Sequence, residues 1–182
     1  GVDFDNSTIQ FVGNLPADVE AVAALEPDLI LTTPWQTAPV DQLATIAPTI
    51  VLDSGLRRGF AMHEVLAELT GTQDTLAILD ARYQEQVAQI RRLIDTGSVS
   101  VNVIQGVNGQ LAVWHTYGAL GKLLRDAGFV FPKRVDAIPE GDFENFSAET
   151  FPEMDADFVF VTYRTDALET PADAEKYLEE VM

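Results

Sequence analysis

Side chains that can hold a charged or aromatic ligand follow several predicted strands of this sequence. Guanidinium groups donate paired hydrogen bonds to anionic oxygens, and tryptophan and tyrosine offer flat apolar faces. In open α/β sheets, the loops at the carboxyl ends of the strands supply such contacts. Both tryptophans and three of the eight arginines stand on loops of this kind, in the segments Pro34-Trp35-Gln36, Arg57-Arg58, Trp114-His115-Thr116-Tyr117 and Tyr163-Arg164.

Each of these side chains also has a purely structural alternative. Trp35 can pack inside its own half of the chain, and Trp114 ends an apolar strand, where burial is expected. One of the two adjacent arginines is expected to be solvated or paired with an acid. Arg164 can form a surface ion pair with Asp166. The residue types alone therefore leave the ligand contacts open.

Metal-ligand and catalytic chemistry is poorly represented. The two histidines, His63 and His115, and the absence of cysteine do not supply the converging ligands that a bare zinc or manganese ion needs. No Gly-x-Ser-x-Gly elbow, Gly-x-x-x-x-Gly-Lys loop or Gly-x-Gly-x-x-Gly fingerprint occurs. The acidic loop at 140–144 lacks the spaced ligands of a calcium loop. The pattern favours binding without catalysis.

Charge and hydropathy exclude further classes of protein. The chain has 182 residues and a mass of 19.9 kDa, and 11 basic against 29 acidic residues give a net charge of -18. This excess of acid argues against binding of nucleic acid or of anionic lipid surfaces. No apolar run approaches the ~20 residues of a membrane helix, and the start GVDFDNSTIQ has no features of a signal peptide.

Helical and strand patterns alternate along the chain, which predicts an α/β fold. Two successive helix–Pro–strand units, at about 18–33 and 40–52, predict a parallel sheet with buried strands. An amphipathic pattern at 73–96 predicts a helix about 36 Å long, suited to join two packed bodies, although an ordinary crossover helix would look the same. We predict lobes at 1–72 and 98–182, joined by the helix at 73–97.

The second half begins with a hairpin pattern. Strands flank the turn Asn108-Gly109, and a helix follows that ends at Gly128. A loop is predicted at 132–145, after which Ser147 caps a short helix and a strand covers 157–162. Pro171 opens a final helix.

A short unit occurs once in each half. EAVAALEPDLIL begins at Glu20 and ETFPEMDADFVF begins at Glu149. In both, a glutamate in the first turn of a helix stands eight residues before an aspartate that opens an apolar strand. The helix dipole alone accounts for each glutamate, because it favours an anion there. It accounts less well for their occurrence as a pair.

The sequence resembles the bacterial ABC-transporter substrate-binding proteins of the ferric-siderophore and cobalamin group. The resemblance rests on EAVAALEPDLILTT with LATIAPTIVLD, and continues through the long helix, YGALGKLLRDAGF and FSAETFPEMDADFVFVT. It implies two Rossmann-like α/β lobes joined by one rigid helix, with ligand bound in the cleft between them. Members of the family are longer, so we expect a middle section that lacks the first strands and the last helices.

The resemblance also implies a function without catalysis. The ligand would be a ferric siderophore that supplies its own iron ligands, held by Trp35 and Arg57 on one wall and by a second-lobe set, Trp114, Tyr117, Tyr163 and Arg164. Glu20 and Glu149 would dock against arginines of the ABC permease. The protein would lie outside the cytoplasm, as a periplasmic protein or a cell-surface lipoprotein. The alternatives are a heme- or cobalamin-binding relative and a two-lobed α/β enzyme.

Overall fold

The structure, a computed structural model, describes residues 8–13, 16–34, 39–52, 61–107, 110–163 and 170–181. It divides into two compact units, Gly1–Ser54 and Gly55–Met182. Each unit has its own sheet with helices between the strands, so the predicted α/β class is confirmed. The predicted division into two lobes and a connecting helix at 73–97 stays a prediction.

The first unit contains the two predicted helix–Pro–strand repeats. Helix α1 (Val19–Ala24) leads to strand β1 (Ile30–Thr32), and helix α2 (Val40–Ala44) leads to strand β2 (Thr49–Val51). The two strands pair in parallel, which confirms the predicted topology. Pro27 and Pro48 stand between each helix and its strand, because proline cannot continue a helix.

The strands of the first unit are buried on one face only. Val22, Ile30, Leu43 and Ala47 form its core. Leu29 and Leu31, on the other side of β1, are 44% and 43% exposed. The prediction of fully buried strands is therefore wrong for β1, because helices cover a single face of this strand in the described residues.

The predicted long helix is present but ends early. Helix α3 (Ala61–Thr70) precedes helix α4 (Gln73–Leu93), and the chain is extended at Ile94 before a short 3₁₀ helix at Thr96–Ser98. Of the predicted apolar stripe, Val87 is buried, whereas Leu79 is 55% exposed. The spacing of apolar residues in the sequence identifies the apolar face of α4, but it does not show how much of that face is buried.

A four-stranded mixed sheet organises the second unit. Its strands, in the order β5-β4-β3-β6, are β3 (Val101–Val107), β4 (Gln110–Trp114), β5 (Phe143–Phe146) and β6 (Phe158–Thr162). The helices are α5 (Gly118–Ala127), α6 (Lys133–Asp136), a 3₁₀ helix (Ala148–Met154) and α7 (Pro171–Val181). Strands β3 and β4 form the predicted hairpin. The predicted loop at 132–145 is wrong in part, because it contains α6 and most of β5.

The core of the second unit lies around β3, whose residues 101–106 are all buried. The fully buried apolar side chains include Ile104, Leu111, Val113, Val135 and Met154. Strand β6 stands at the end of the described sheet and contributes one face to this core through Val159 and Val161. On its other face, Phe158 is 61% and Phe160 is 39% exposed.

A polar network fastens α4 to the end of α5. The Tyr83 hydroxyl and the Lys122 ammonium both donate to Asp126 Oδ2, each at 2.7 Å. Arg91 donates to the backbone carbonyls of Asp126 and Ala127. Burial, followed by the hydrogen bond to Asp126, raises the pKa of Tyr83 far above its usual value. The long helix is therefore a fixed part of the second unit.

Candidate functional site

Three strands of the second sheet point in the same direction. Strand β3 is parallel to β6, and β4 is antiparallel to both β3 and β5, so β3, β5 and β6 run together. Their carboxyl ends meet at one edge of the sheet, which we call the carboxyl edge. The chain leaves this edge after Val107, Phe146 and Thr162. In open α/β sheets this edge is where ligands bind.

Tyr163 stands at the carboxyl edge. It is the first residue after β6 and is 38% exposed. The end of β6 is held to the central strand, because Thr162 Oγ1 donates to the carbonyl oxygen of Ile104 at 3.1 Å. Trp35, Arg57 and Arg164, the other predicted contacts of this kind, lie outside the described residues.

Trp114 and Tyr117 lie toward the other end of the sheet. Trp114 pairs with Phe143, the first residue of β5, whereas Phe146 at the end of β5 pairs with Leu111. Trp114 and Tyr163 therefore lie toward opposite ends of the sheet, because β4 runs antiparallel to β3 and β6. The roles of Trp114 and Tyr117 as ligand contacts stay predictions.

The Trp114 side chain is part of an aromatic cluster. Its ring lies 4.5 Å from the Phe143 ring and 6.1 Å from the Tyr117 ring, measured between centroids. The indole Nε1 is enclosed and has no hydrogen-bond partner among the described residues. Trp114 is half-buried, so it is neither a fully buried core residue nor a fully exposed one.

The segment between β4 and α5 is fixed by two residues of α5. Arg125 Nε donates to the carbonyl oxygen of His115 at 2.7 Å. Gly121 approaches so closely that a Cβ atom there would lie 3.0 Å from the carbonyl carbon of Thr116. Burial lowers the pKa of His115, and the Arg125 charge lowers it further, so the imidazole is neutral at pH 7.

A metal-ligand role for His115 is not supported where the structure describes the chain. No group of three or more histidine, aspartate or glutamate side chains in those ranges could hold an ion. The His115 Nδ1 atom lies 3.0 Å from Thr116 Oγ1, a contact between polar neighbours.

None of the described helices combines the length and the apolar character needed to span a bilayer.

Glu20 and Glu149 are both exposed and both lie in the first turn of a helix, as predicted. Their settings differ. Asp18 caps α1, because its Oδ1 accepts hydrogen bonds from the amides of Glu20 and Ala21 at 2.9 and 3.1 Å. Ser147 precedes the 3₁₀ helix of Glu149, but its side chain makes no capping hydrogen bond. The predicted side-chain cap at Ser147 is therefore wrong.

The aspartate of the second repeat has a defined structural task. Asp157 Oδ2 accepts from the backbone amide of Ser100 at 2.8 Å and from its hydroxyl at 2.7 Å. These two hydrogen bonds lower the pKa of Asp157. They align the starts of β3 and β6, so sheet registration accounts for Asp157. Glu149 is an exposed acid of the same repeat.

The sequence pattern did not predict strand β5 or its carboxyl end. The run Phe143-Glu144-Asn145-Phe146 lacks the alternation of a strand, and its pairing with β4 is what makes it one. The available sequence signal was Gly141, because glycine is common in turns. In the structure Gly141 has a positive φ of 86° just before the run. The consequence is that Phe146 and Ser147 join Tyr163 at the carboxyl edge.

The two sheets and the helices between their strands define a protein of the α/β class. The profile of the periplasmic binding protein family matches residues 11–180, and the chain belongs to that family. This match includes both repeats and the long helix.

Individual relatives refine the comparison. The chain is 29% identical over 157 residues to the probable siderophore-binding lipoprotein YfiY of Bacillus subtilis, covering 82% of this chain and 48% of the relative. It is 31% identical over 120 residues to the ferric enterobactin-binding periplasmic protein FepB of Escherichia coli, covering 63% and 38%. The chain spans about half the length of the curated relatives that it matches.

Solved structures agree in fold. The crystal structure of Staphylococcus aureus SirA complexed with staphyloferrin B matches with a TM-score of 0.75 at 24% identity, covering 91% of this chain and 59% of the other. Staphylococcus aureus FhuD2 with bound ferrioxamine B matches with a TM-score of 0.73 at 19% identity, covering 90% and 64%. At these identities the likeness is one of fold.

Proposed function

We propose that this chain is part of the solute-binding component of an ABC importer for a ferric siderophore. The observation that carries the proposal is the carboxyl edge, where three strands of equal direction end and the exposed Tyr163 stands. Family membership and the siderophore-binding roles that YfiY and FepB are named for support the same class of ligand. The interlobe cleft predicted from the resemblance remains part of this proposal.

The proposed ligand contacts are aromatic and cationic. Tyr163, with Trp35, Arg57 and Arg164, would contact the chelate, because a phenol and guanidinium groups can donate hydrogen bonds to its oxygens. Trp114 and Tyr117 remain proposed aromatic contacts. The siderophore itself holds the iron, so the protein needs neither metal ligands nor a cofactor. No catalytic step is proposed.

The proposed partner is the permease of the importer. Glu20 and Glu149, both exposed at helix starts, would form ion pairs with arginines of the transmembrane subunits. The proposed location is outside the cytoplasm, as a periplasmic protein or a cell-surface lipoprotein. The names of YfiY and FepB, a lipoprotein and a periplasmic protein, support it.

A fluorescence titration of the full-length protein tests the proposed ligand. We expect saturable quenching of tryptophan fluorescence by at least one of a panel of ferric hydroxamates, catecholates and carboxylates. The same siderophores without iron are the control. Absence of quenching by every ferric chelate would contradict the proposal, and tight binding of heme or cobalamin would favour the alternative relative.

Two tyrosines at opposite ends of the second sheet test the location of the site. We expect Tyr163→Ala to weaken chelate binding about 10-fold, since one lost hydrogen bond or aromatic contact costs roughly 1–1.5 kcal/mol. Tyr117→Ala is the comparison at the other end of the sheet, and an effect below about 2-fold would confine the site to the carboxyl edge. A larger effect of Tyr117→Ala would extend the site to the aromatic cluster around Trp114.

A further inference from the structure

The 3₁₀ helix Ala148–Met154, which we call the Glu149 helix, has little stability of its own. It spans seven residues and contains Pro152, which cannot donate a backbone hydrogen bond. Its side-chain cap is absent. Short 3₁₀ helices have poor hydrogen-bond geometry, so contacts with the rest of the fold must determine where Glu149 points.

The end of the Glu149 helix is anchored in the core. Met154 is fully buried, and its carbonyl oxygen accepts a hydrogen bond of 2.9 Å from Asn102 Nδ2 of β3. This anchor fixes the last residue of the helix. Glu149 is five residues earlier, in the first turn, where Thr150 donates to the carbonyl oxygen of Ser147 and Phe151 packs against the core. The direction of this turn also depends on how the helix is held against the strand that precedes it.

Arg134 of α6 links strand β5, which leads into the Glu149 helix, to Glu153, the next-to-last residue of that helix. Its Nη1 donates to Glu153 Oε2 at 2.7 Å, within the helix. Its Nη2 lies 3.9 Å from Glu144 Oε2 on β5, and its Cζ lies 5.1 Å from the Phe146 ring centroid. One planar guanidinium therefore touches the strand that enters the helix and the helix itself.

We propose that Arg134 is a positioning residue that sets the orientation of Glu149 for permease docking. The proposal rests on the proposed function, and it concerns a residue that the permease need not touch. The ion pairs of Arg134 are 43% to 58% exposed on their side chains, and exposed pairs contribute little to global stability. Their effect is expected in the geometry of one short helix.

The positive charge of Arg134 allows a positioning role to be distinguished from simple electrostatic attraction between this surface and the permease. Removing the positive charge of Arg134 leaves Glu144, Glu149 and Glu153 in a more negative surface. By attraction alone, such a surface would bind permease arginines more strongly. A positioning role predicts the opposite sign, a loss of binding. The direction of the change therefore distinguishes the two.

The experiment measures binding of the chelate-loaded, full-length protein to its permease in nanodiscs. We expect Arg134→Met to weaken binding by about 3- to 10-fold, the range for one exposed ion pair with a cation–π contact. Arg125→Met is the matched control, because Arg125 also pairs with an acid, Asp136, and stacks on a ring, Phe131. Among the described residues, Arg125 forms no hydrogen bond or ion pair with the Glu149 helix, so its replacement should change permease binding less than about 2-fold.

The variant Arg134→Lys is a second test, in which the positive charge is kept. A lysine cannot place a planar group against both carboxylates, so binding should fall in the same direction as for Arg134→Met. Unchanged or stronger binding in both Arg134 variants would overturn the proposal. Chelate affinity, measured by fluorescence, should be unchanged in both.

A double-mutant cycle tests whether Arg134 acts through Glu149. In a Glu149→Ala background, Arg134→Met should cause no further loss, because the residue that it orients is gone. In a Glu20→Ala background the two losses should multiply, since Glu20 belongs to the other compact unit. Multiplying losses in both backgrounds would overturn positioning. If Glu149→Ala alone left permease binding unchanged, the docking part of the proposed function would fail instead.

Discussion

Replacing both Glu20 and Glu149 with alanine should abolish siderophore uptake by cells, while the affinity of the purified protein for the chelate should stay unchanged. Both side chains are exposed in the first turn of a helix, and neither forms a side-chain hydrogen bond or ion pair with another described residue. Truncating one partner of a charge pair in an interface costs about 2–5 kcal/mol, so each single replacement should lower uptake by roughly 30-fold or more. Uptake of radioactive iron under saturating chelate gives the measurement.

The control for this pair removes equal charge from equivalent positions. Asp41 and Glu64 are exposed acids in the first turns of α2 and α3. Their replacement by alanine removes the same net charge and the same favourable interaction with the helix dipole. Uptake should remain within about 2-fold of the wild type. An equal loss of chelate affinity in the Glu20 and Glu149 variants would contradict the docking assignment.

The second large effect concerns the attachment of α4. Asp126→Asn should lower the free energy of unfolding at pH 7 by about 1.5–3 kcal/mol, the usual contribution of hydrogen bonds to a charged group. Asp126 accepts from Tyr83 and Lys122 in a half-buried position, so its loss is not made good by water. Urea unfolding followed by circular dichroism gives the measurement. Glu85→Gln, which breaks the exposed pair with Arg92, should cost less than about 1 kcal/mol.

The pH dependence of this effect has a definite sign. Burial alone would raise the pKa of Asp126, but hydrogen bonds from Lys122 and Tyr83 and the charges of Lys122 and Arg91 outweigh it and lower the pKa below its usual range. The ionised carboxylate is therefore the stabilising form. Its contribution is present above the unfolded pKa and is lost as the pH falls through the folded value. The difference between wild type and Asp126→Asn should shrink from pH 7 to pH 3, and a constant difference would contradict the assignment.

Local rules predicted most elements of the fold. Proline after a helix, Asn-Gly between apolar runs and glycine after Ala127 each restrict a few backbone angles directly, so α1, the hairpin and the end of α5 were found. Strand β5 and helix α6 were missed because their sequences carry weak local preferences. They exist through pairing with β4 and packing against the Glu149 helix.

The candidate site was predicted in part, and the error has a physical origin. Tyr163 follows a strand that is parallel to β3, so the rule for carboxyl ends applies to it. Trp114 follows a strand that the predicted hairpin already makes antiparallel, and the same rule places its loop at the opposite end. The contacts of Arg134 join residues 10 to 19 positions apart, a separation at which sequence patterns carry no signal.

The exposed face of β6, which carries Phe158 and Phe160, affects how the protein behaves in solution. Two exposed phenylalanine rings on the strand at the end of the described sheet form a surface on which a second copy could nucleate an aggregate. At neutral pH the excess of 18 negative charges keeps copies apart in dilute buffer. Salt shortens the range of that repulsion, and titration toward the isoelectric point near 4.1 removes it. Precipitation on acidification should therefore precede unfolding, and a polar residue in place of Phe158 should delay it.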